Sequence, residues 1–268
     1  MHLVDIGANL SHESFSHDLS DVVANAQDAG VSRIIVTGTD KDSNEAALKL
    51  SQQRPQVFSC TTGFHPHVSD SFDEKAASSI RELARHDEVV AIGETGLDFN
   101  RKFSSRESQL RAFEAQLELA AEIGKPLFLH QRDAHIEFVA LLRRYREQIS
   151  GGVVHCFTDN QQALEDYLEL DMYIGVTGWI CDERRGIDLQ TLVAMIPQDR
   201  LLIETDAPYL LPRTLVPRPK TRRNEPKYLV EVVKTVAACC DKPEGQIARE
   251  TSDNAVRLFG LPTPAGTG

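Results

Sequence analysis

Eight short apolar runs recur along the chain, and four of them stop at residues of the kind that bind metal ions. VVAIGE ends at Glu94, PLFLH at His130, GGVVH at His155 and LLIETD at Asp206. Side chains so far apart in sequence meet only if the runs are strands closing into one ring with a shared rim. The C-terminal rim of a (β/α)8 barrel is such a ring, and it is where that fold keeps its chemistry. The pattern therefore predicts both an α/β TIM-type barrel and a site.

The expected strands are 3–9, 33–39, 57–63, 89–97, 126–132, 151–157, 172–178 and 201–208. Most are nearly continuous in Val, Ile and Leu, as strands covered on both faces require. Helical spacing fills the gaps. It is clearest from Arg106 to Ile123, where Leu110, Phe113, Leu117 and Ala121 recur at intervals of three and four. Ser105 and Ser108 offer a cap there, and Gly124 and Pro126 mark the stop. Further helices are expected at 18–29, 42–53, 74–86, 134–149, 160–170, 188–196, 226–240 and 244–258. Strands and helices alternating in this way make a parallel sheet, and eight repeats favour closure over an open doubly wound sheet. The 268 residues suit one barrel of roughly 250 residues, expected over 1–260. The small residues and prolines of 261–268 are expected to form a disordered tail.

The apolar runs are far shorter than the ~20 residues that span a bilayer, and the N-terminus lacks the basic start and apolar stretch of a secretory signal. Five cysteines without a C-x-x-C pair argue against a disulfide framework, so a reducing cytoplasm is the expected location. A formal net charge of −11 argues against a broad electropositive surface for duplex DNA. It leaves room for a small cleft whose positive field comes from metal ions and one local basic cluster.

Along strand 201–208, Glu204 and Asp206 alternate onto one face. Two carboxylates entering a closed barrel cost several kcal/mol each unless compensated. A cation is one compensation and a buried Arg or Lys is the other. On the first reading Asp206 is a metal ligand or base and Glu204 supports it from behind. Glu94 sits between glycines in Gly93-Glu94-Thr95-Gly96, which leaves room for a ligand. His130 and His155 end consecutive strands, the pattern expected of metal ligands rather than of isolated core histidines. His135 and His86 read as solvated faces. His65, just past strand 57–63, is either a turn residue ordered by Pro66 or a donor to a phosphate or leaving oxygen. Arg132 shares the side of His130 and suits a phosphate clamp. Arg213, Arg218, Lys220, Arg222 and Arg223 form the densest basic run of the chain. Following a metal-bearing strand, they read as a phosphate-tracking wall. Phe64, Phe99 and Trp179 would either stack on bases or pack in the core.

Taken together, these motifs resemble the TatD-type metal-dependent deoxyribonucleases, a branch of the amidohydrolase-like barrels. The resemblance rests on Gly63-Phe64-His65-Pro66-His67, Gly93-Glu94-Thr95-Gly96-Leu97-Asp98, His130-Gln131-Arg132, His155-Cys156-Phe157, Glu204-Thr205-Asp206-Ala207-Pro208 and Arg223-Asn224-Glu225-Pro226. It covers nearly all residues up to about 260 and implies phosphodiesterase activity on DNA with one to three divalent metals at the rim. Glu94 would bridge the metals, His130 and His155 would hold one, and Asp206 would orient or deprotonate the attacking water. Many relatives carry His-x-His after an aspartate like Asp5. Here the stretch is Asp5-Ile6-Gly7-Ala8-Asn9, typical of the branch nearest TatD itself. Asn9 offers only an amide oxygen, which favours Mg²⁺, with Mn²⁺ or Zn²⁺ next, held through carboxylates, water and substrate oxygens.

The expected activity is metal-assisted phosphodiester hydrolysis by a monomer, with Asp206, Glu94 and His65 catalytic and Asn9, Arg132, Arg222 and Arg223 binding substrate. An open rim suits a single-stranded end better than a duplex, and the family resemblance implies trimming from the 3′ end. The enzymatic alternative is a metal-dependent esterase such as a D-aminoacyl-tRNA deacylase or a lactonase. A non-catalytic binding factor would have no reason to gather four ligands.

Overall fold

The computed structural model describes residues 2–262; Met1 and residues 263–268, most of the expected tail, lie outside the described residues. Among the described residues eight strands form one parallel sheet in sequential order: β1 (Leu3–Ala8), β2 (Val31–Val36), β3 (Phe58–Thr62), β4 (Val89–Asp98), β5 (Leu127–Arg132), β6 (Gly152–Val154), β7 (Tyr173–Val176) and β8 (Leu201–Ile203). A parallel bridge from Ala8 to Ala207 joins the last strand to the first. Hydrogen bonds from Asn9 N to Ala207 O (2.7 Å) and from Asp206 N to Gly7 O (2.8 Å) flank it. The sheet is therefore the TIM-type barrel expected from the eight runs, and its seam runs through residues of the candidate site.

Seven of the eight strands end elsewhere than expected, β5 alone matching, and two of these differences bear on the site. β8 stops at Ile203 because the Thr205 amide turns to the Asp5 carboxylate (2.9 Å) instead of continuing a ladder. Asp206 then adopts a left-handed φ of 54°, so it reaches the rim from a turn and not by strand alternation. β4 instead continues to Asp98, because Thr95–Asp98 pair with Leu129–Arg132 of β5. Glu94 is consequently inside a strand and not at its end.

Val4, Ile6, Ile35, Val90, Phe128, Val153 and Leu202 form one buried cluster with Phe259 and Leu261 of the C-terminal segment. At about 25 cal/mol per Å² of apolar surface removed from water, this inner cluster is a principal reason the barrel stays closed. Leu261, expected in the tail, is 4 % exposed and belongs to this packing. The helices lie outside. Arg106–Ile123 is capped as read from sequence, with the Ser105 side chain accepting from Ser108 N, and its Phe113 stacks on Phe138 at 5.2 Å. The stretches expected at 188–196 and 226–240 each include a 3-10 turn, Val193–Met195 and Pro226–Tyr228. The second begins at a proline, which supplies no backbone donor. No helix among the described residues is long and apolar enough to cross a membrane.

Candidate active site

Glu94 is the hub of the rim. Gly93 before it has φ +146°, and a Cβ there would strike the Phe128 carbonyl, so only glycine lets β4 pass β5 at this point. One carboxylate oxygen, Oε1, then faces three imidazoles. His155 Nε2 lies 2.8 Å away, His130 Nδ1 2.9 Å and His65 Nε2 3.3 Å. His130 comes from β5, two residues beyond the inward-facing Phe128; His155 follows β6 directly and lies 4.7 Å from the Phe128 ring.

Each imidazole is held differently. His155 Nδ1 faces Glu204 Oε2 at 3.3 Å and Nε2 donates to Glu94; with Nδ1 so held, Nε2 would be the ring's ligating nitrogen for a cation. Glu204 is fully buried, and its other oxygen accepts the Cys156 amide at 2.7 Å. The carboxylate also fills the space a side chain at Gly7 would need, so the loss of an imidazole there and the position of Glu204 are one packing solution. His130 turns Nδ1 to Glu94 while its buried Nε2 has no hydrogen-bond partner and sits 3.7 Å from Asp98 Oδ2. His65 Nδ1 accepts the His67 amide at 3.1 Å, so its Nε2 carries the proton and is a donor. His65 thus orders the turn at Pro66, as one sequence reading expects, and its Nε2–H points to Glu94 at 3.3 Å.

The other arc of the rim has no imidazole of its own. The Asn9 amide donates to Asp206 Oδ1 at 3.0 Å. Asp5, fully buried, accepts Thr205 N, Thr205 Oγ1 (2.5 Å) and Gly7 N. Burial pushes Asp206 up to about 8 and Asp5 up to about 7. Burial would also raise Glu94 and Asp98, but imidazoles override it. His155 and His65 hold Glu94 well below the usual range, and the His130 ring 3.7 Å away together with the hydrogen bond from His67 lowers Asp98. Burial lowers His65 to about 4, keeping it neutral, whereas His155, despite burial, is raised well above its ordinary value by Glu94 and Glu204. The Cys156 thiol is pushed up by burial to about 12, which excludes it as a nucleophile near neutrality.

This donor set fits a divalent cation. A Glu94 carboxylate oxygen and ring nitrogens of His130 and His65 lie within 4.8 Å of one another. The orphaned His130 Nε2 and the under-compensated Asp206 are what a cation would satisfy. Among the described residues no Arg or Lys pairs with Glu204 or Asp206, so the salt-bridge alternative for these carboxylates does not apply. Asp206 makes no direct contact with the imidazole group; it shares with that group a cavity of about 500 Å³ that also includes Asn9, Arg132, Arg101, Phe103 and Tyr209.

Several expected substrate contacts are elsewhere. Arg223 is locked to Asp18 (2.9 and 2.6 Å), Glu225 and the Ser14 carbonyl, so it staples the chain and has no charge to spare for phosphate. Arg213 is spent on Glu183 in the same two-pronged way. Arg222 is exposed but does not line the cavity. Phe64 is core, edge-on to Phe72. Phe99 lies under the Arg106 guanidinium and Trp179 under that of Arg185. His135, read as solvated, is partly buried between Asp166 (2.9 Å) and Tyr167. Sequence reasoning gave no role to Asp98 and His67, which are bonded at 2.7 Å; the expected strand end at 97 hid Asp98. It also passed over Asp5, Arg101, Phe103 and Tyr209, whose only signal was closeness to strand ends.

The profile of the family described as TatD related DNase matches residues 4–260. A protein of Edwardsiella piscicida named 3'-5' ssDNA/RNA exonuclease TatD is 48 % identical over 259 residues, covering 97 % of this chain and all of the relative. One of the same name from Erwinia billingiae is 47 % identical over 260 residues, with 97 % and 100 % covered. Among solved structures, a TatD homolog from Escherichia coli K12 superposes with a TM-score of 0.88 at 27 % identity, covering 97 % of this chain and 98 % of the other. A TatD family hydrolase from Entamoeba histolytica gives 0.88 at 25 % identity, with 98 % and 99 % covered.

Proposed function

The chain belongs to the TatD related DNase family, and from that premise we propose that it is a metal-dependent exonuclease that hydrolyses phosphodiester bonds at single-stranded DNA ends, working from the 3′ end. The names of the relatives, which include both single-stranded DNA and RNA, support this reading. The observation that carries it is the convergence of His130, His155 and His65 on Glu94 Oε1, beside an orphaned His130 nitrogen and across an open cavity from Asp206.

In this proposal Glu94, His130, His155 and Asp206 hold the cation, and Glu204 keeps the His155 ring in its ligating tautomer. A bound divalent ion supplies the charge that keeps Asp206 ionised, polarises the scissile phosphate and acidifies the attacking water. Asp206, oriented by the Asn9 amide, accepts the proton from that water. His65 Nε2–H donates to a phosphate or leaving oxygen, and Arg132 takes a non-bridging oxygen. The oxygen donors of the Asp206 arc favour Mg²⁺ or Mn²⁺, whereas the imidazole arc also tolerates Zn²⁺. The five free thiols support a reducing compartment such as the cytoplasm, and action as a monomer is part of the proposal.

The test is a single strand labelled at either end, incubated with Mg²⁺, with Mn²⁺ and with chelator, beside an RNA strand and a D-aminoacyl-tRNA. The expected result is metal-dependent release of mononucleotides from the 3′ end. Ester cleavage of the aminoacyl-tRNA without loss of nucleotides from DNA would overturn the proposal.

A further inference from the structure

The loop joining β4 to helix Arg106–Ile123 begins at Asp98 and is tied down at both ends. Asp98 Oδ1 accepts the amides of Asn100 and Arg101, both at 2.9 Å, while Oδ2 holds His67. Gln109 from the helix brackets Asp98 through its backbone N–H and C=O, and its amide also reaches the Ser104 carbonyl. Ser104 Oγ in turn donates to the His67 carbonyl at 2.9 Å. The loop is therefore a rigid extension of the site.

On this rigid frame Arg101, Lys102 and Phe103 are exposed. Phe103 is 65 % exposed, a large apolar surface left in water, and its ring packs edge-on against His67 at 4.8 Å. It forms the wall between the catalytic cavity and a second one of about 430 Å³. Arg101 lines the first cavity and Lys102 the second. Among the described residues neither cation has a salt-bridge partner, whereas neighbouring Arg106 is paired with Glu137 and lies 4.3 Å over Phe99. The one acid of the second cavity, Asp70, is occupied by the Ser105 amide. An exposed aromatic ring flanked by unpaired cations, next to a phosphodiesterase site, matches the way single strands are bound without sequence preference: bases stack on rings and phosphates follow the charge.

We propose that residues 99–105 are the platform on which a single strand enters the catalytic cavity, with Phe103 stacking one base and Arg101 and Lys102 holding the phosphates on either side. The inference rests on the nuclease reading and extends it. It places the strand over the β4 loop and not along the basic run 213–223, whose best-placed arginines are already neutralised.

The test uses a twelve-nucleotide oligothymidylate and the full chain. Kd is read by fluorescence anisotropy in chelator, and KM and kcat are read in Mg²⁺. Phe103→Ala should raise Kd and KM about tenfold with kcat nearly unchanged. Lys102→Ala should lower the slope of log K against log salt by about 0.7, one phosphate contact. A strand made abasic at successive positions should reproduce the Phe103→Ala loss at one position in the wild type and cost nothing further in the variant. If both variants keep wild-type Kd and slope while Arg218→Ala/Arg222→Ala changes them, the platform is wrong even though the strand is degraded. If the wild type binds through Phe103 but releases no nucleotides with any metal, the platform stands and the nuclease reading falls.

Discussion

The two arcs of this rim handle negative charge in opposite ways. From β3 to β6, each carboxylate faces imidazoles, and Glu94 and Asp98 remain anions despite burial. From β8 to β1, the hydrogen bonds to the Asp206 and Asp5 side chains come from amide and hydroxyl donors, and burial lifts them to about 8 and about 7 against the more distant charge of His155 on Asp206. The first arc is a frame already balanced before any cation arrives. The second is a set of oxygens that becomes fully charged only beside added positive charge, which suits a group that must take up and release a proton. The same fold thus separates holding from proton transfer by its choice of neighbours.

Glu94→Gln strikes the balanced arc at its shared acceptor, and the largest effect is expected there. kcat should fall on the order of 10³-fold, and the rise in Tm on adding Mn²⁺ should disappear. Asp206→Asn, which keeps a partner for Asn9, should lower kcat by about 10²-fold while most of that metal-induced rise in Tm survives. Equal loss of metal stabilisation in the two variants would erase the distinction between the arcs. Glu204→Gln acts through the His155 ring, so a loss of about 10- to 100-fold in metal affinity is expected, measurable by calorimetry.

The pH dependence sharpens the same contrast. In chelator the folded chain keeps Asp206 protonated up to about 8, against an ordinary value of 3.8. The unfolded chain releases that proton first, so this contribution to stability is complete in acid and is lost as pH climbs from about 4 to about 8. The Tm of Asp206→Asn minus that of the wild type should therefore widen across this window, by about 2–4 °C for each kcal/mol. A difference independent of pH would show that the β8–β1 arc is as well compensated as its opposite. Smallest is Arg223→Ala, which should cost about 1 kcal/mol of stability, read in urea, with KM for a single strand within about twofold of wild type. A tenfold rise in KM would return Arg223 to the substrate.

Much of the site was legible because strand and helix periods are local. The apolar runs located His130 and His155 to within two residues of their strand ends and Glu94 inside β4, four residues before its end, and Glu204 lies inward two residues past Leu202 as alternation requires. Asp206 was found for an incorrect reason, since a left-handed turn, not the strand, delivers it. Asp98 was hidden because the β4–β5 ladder continues past the apolar run, a pairing that only the neighbouring strand can extend.

What the sequence alone determined is the barrel and the small set of side chains carried to its mouth, because both follow from repeats a few residues long. Tertiary structure decided which charges and rings remain available. Arg223 is neutralised by Asp18, 205 positions away, and Thr205 takes Asp5 across 200. Meanwhile Phe103 stays open where Phe64 is buried. Pairing and burial depend on distances in space, and residue spacing carries no record of them.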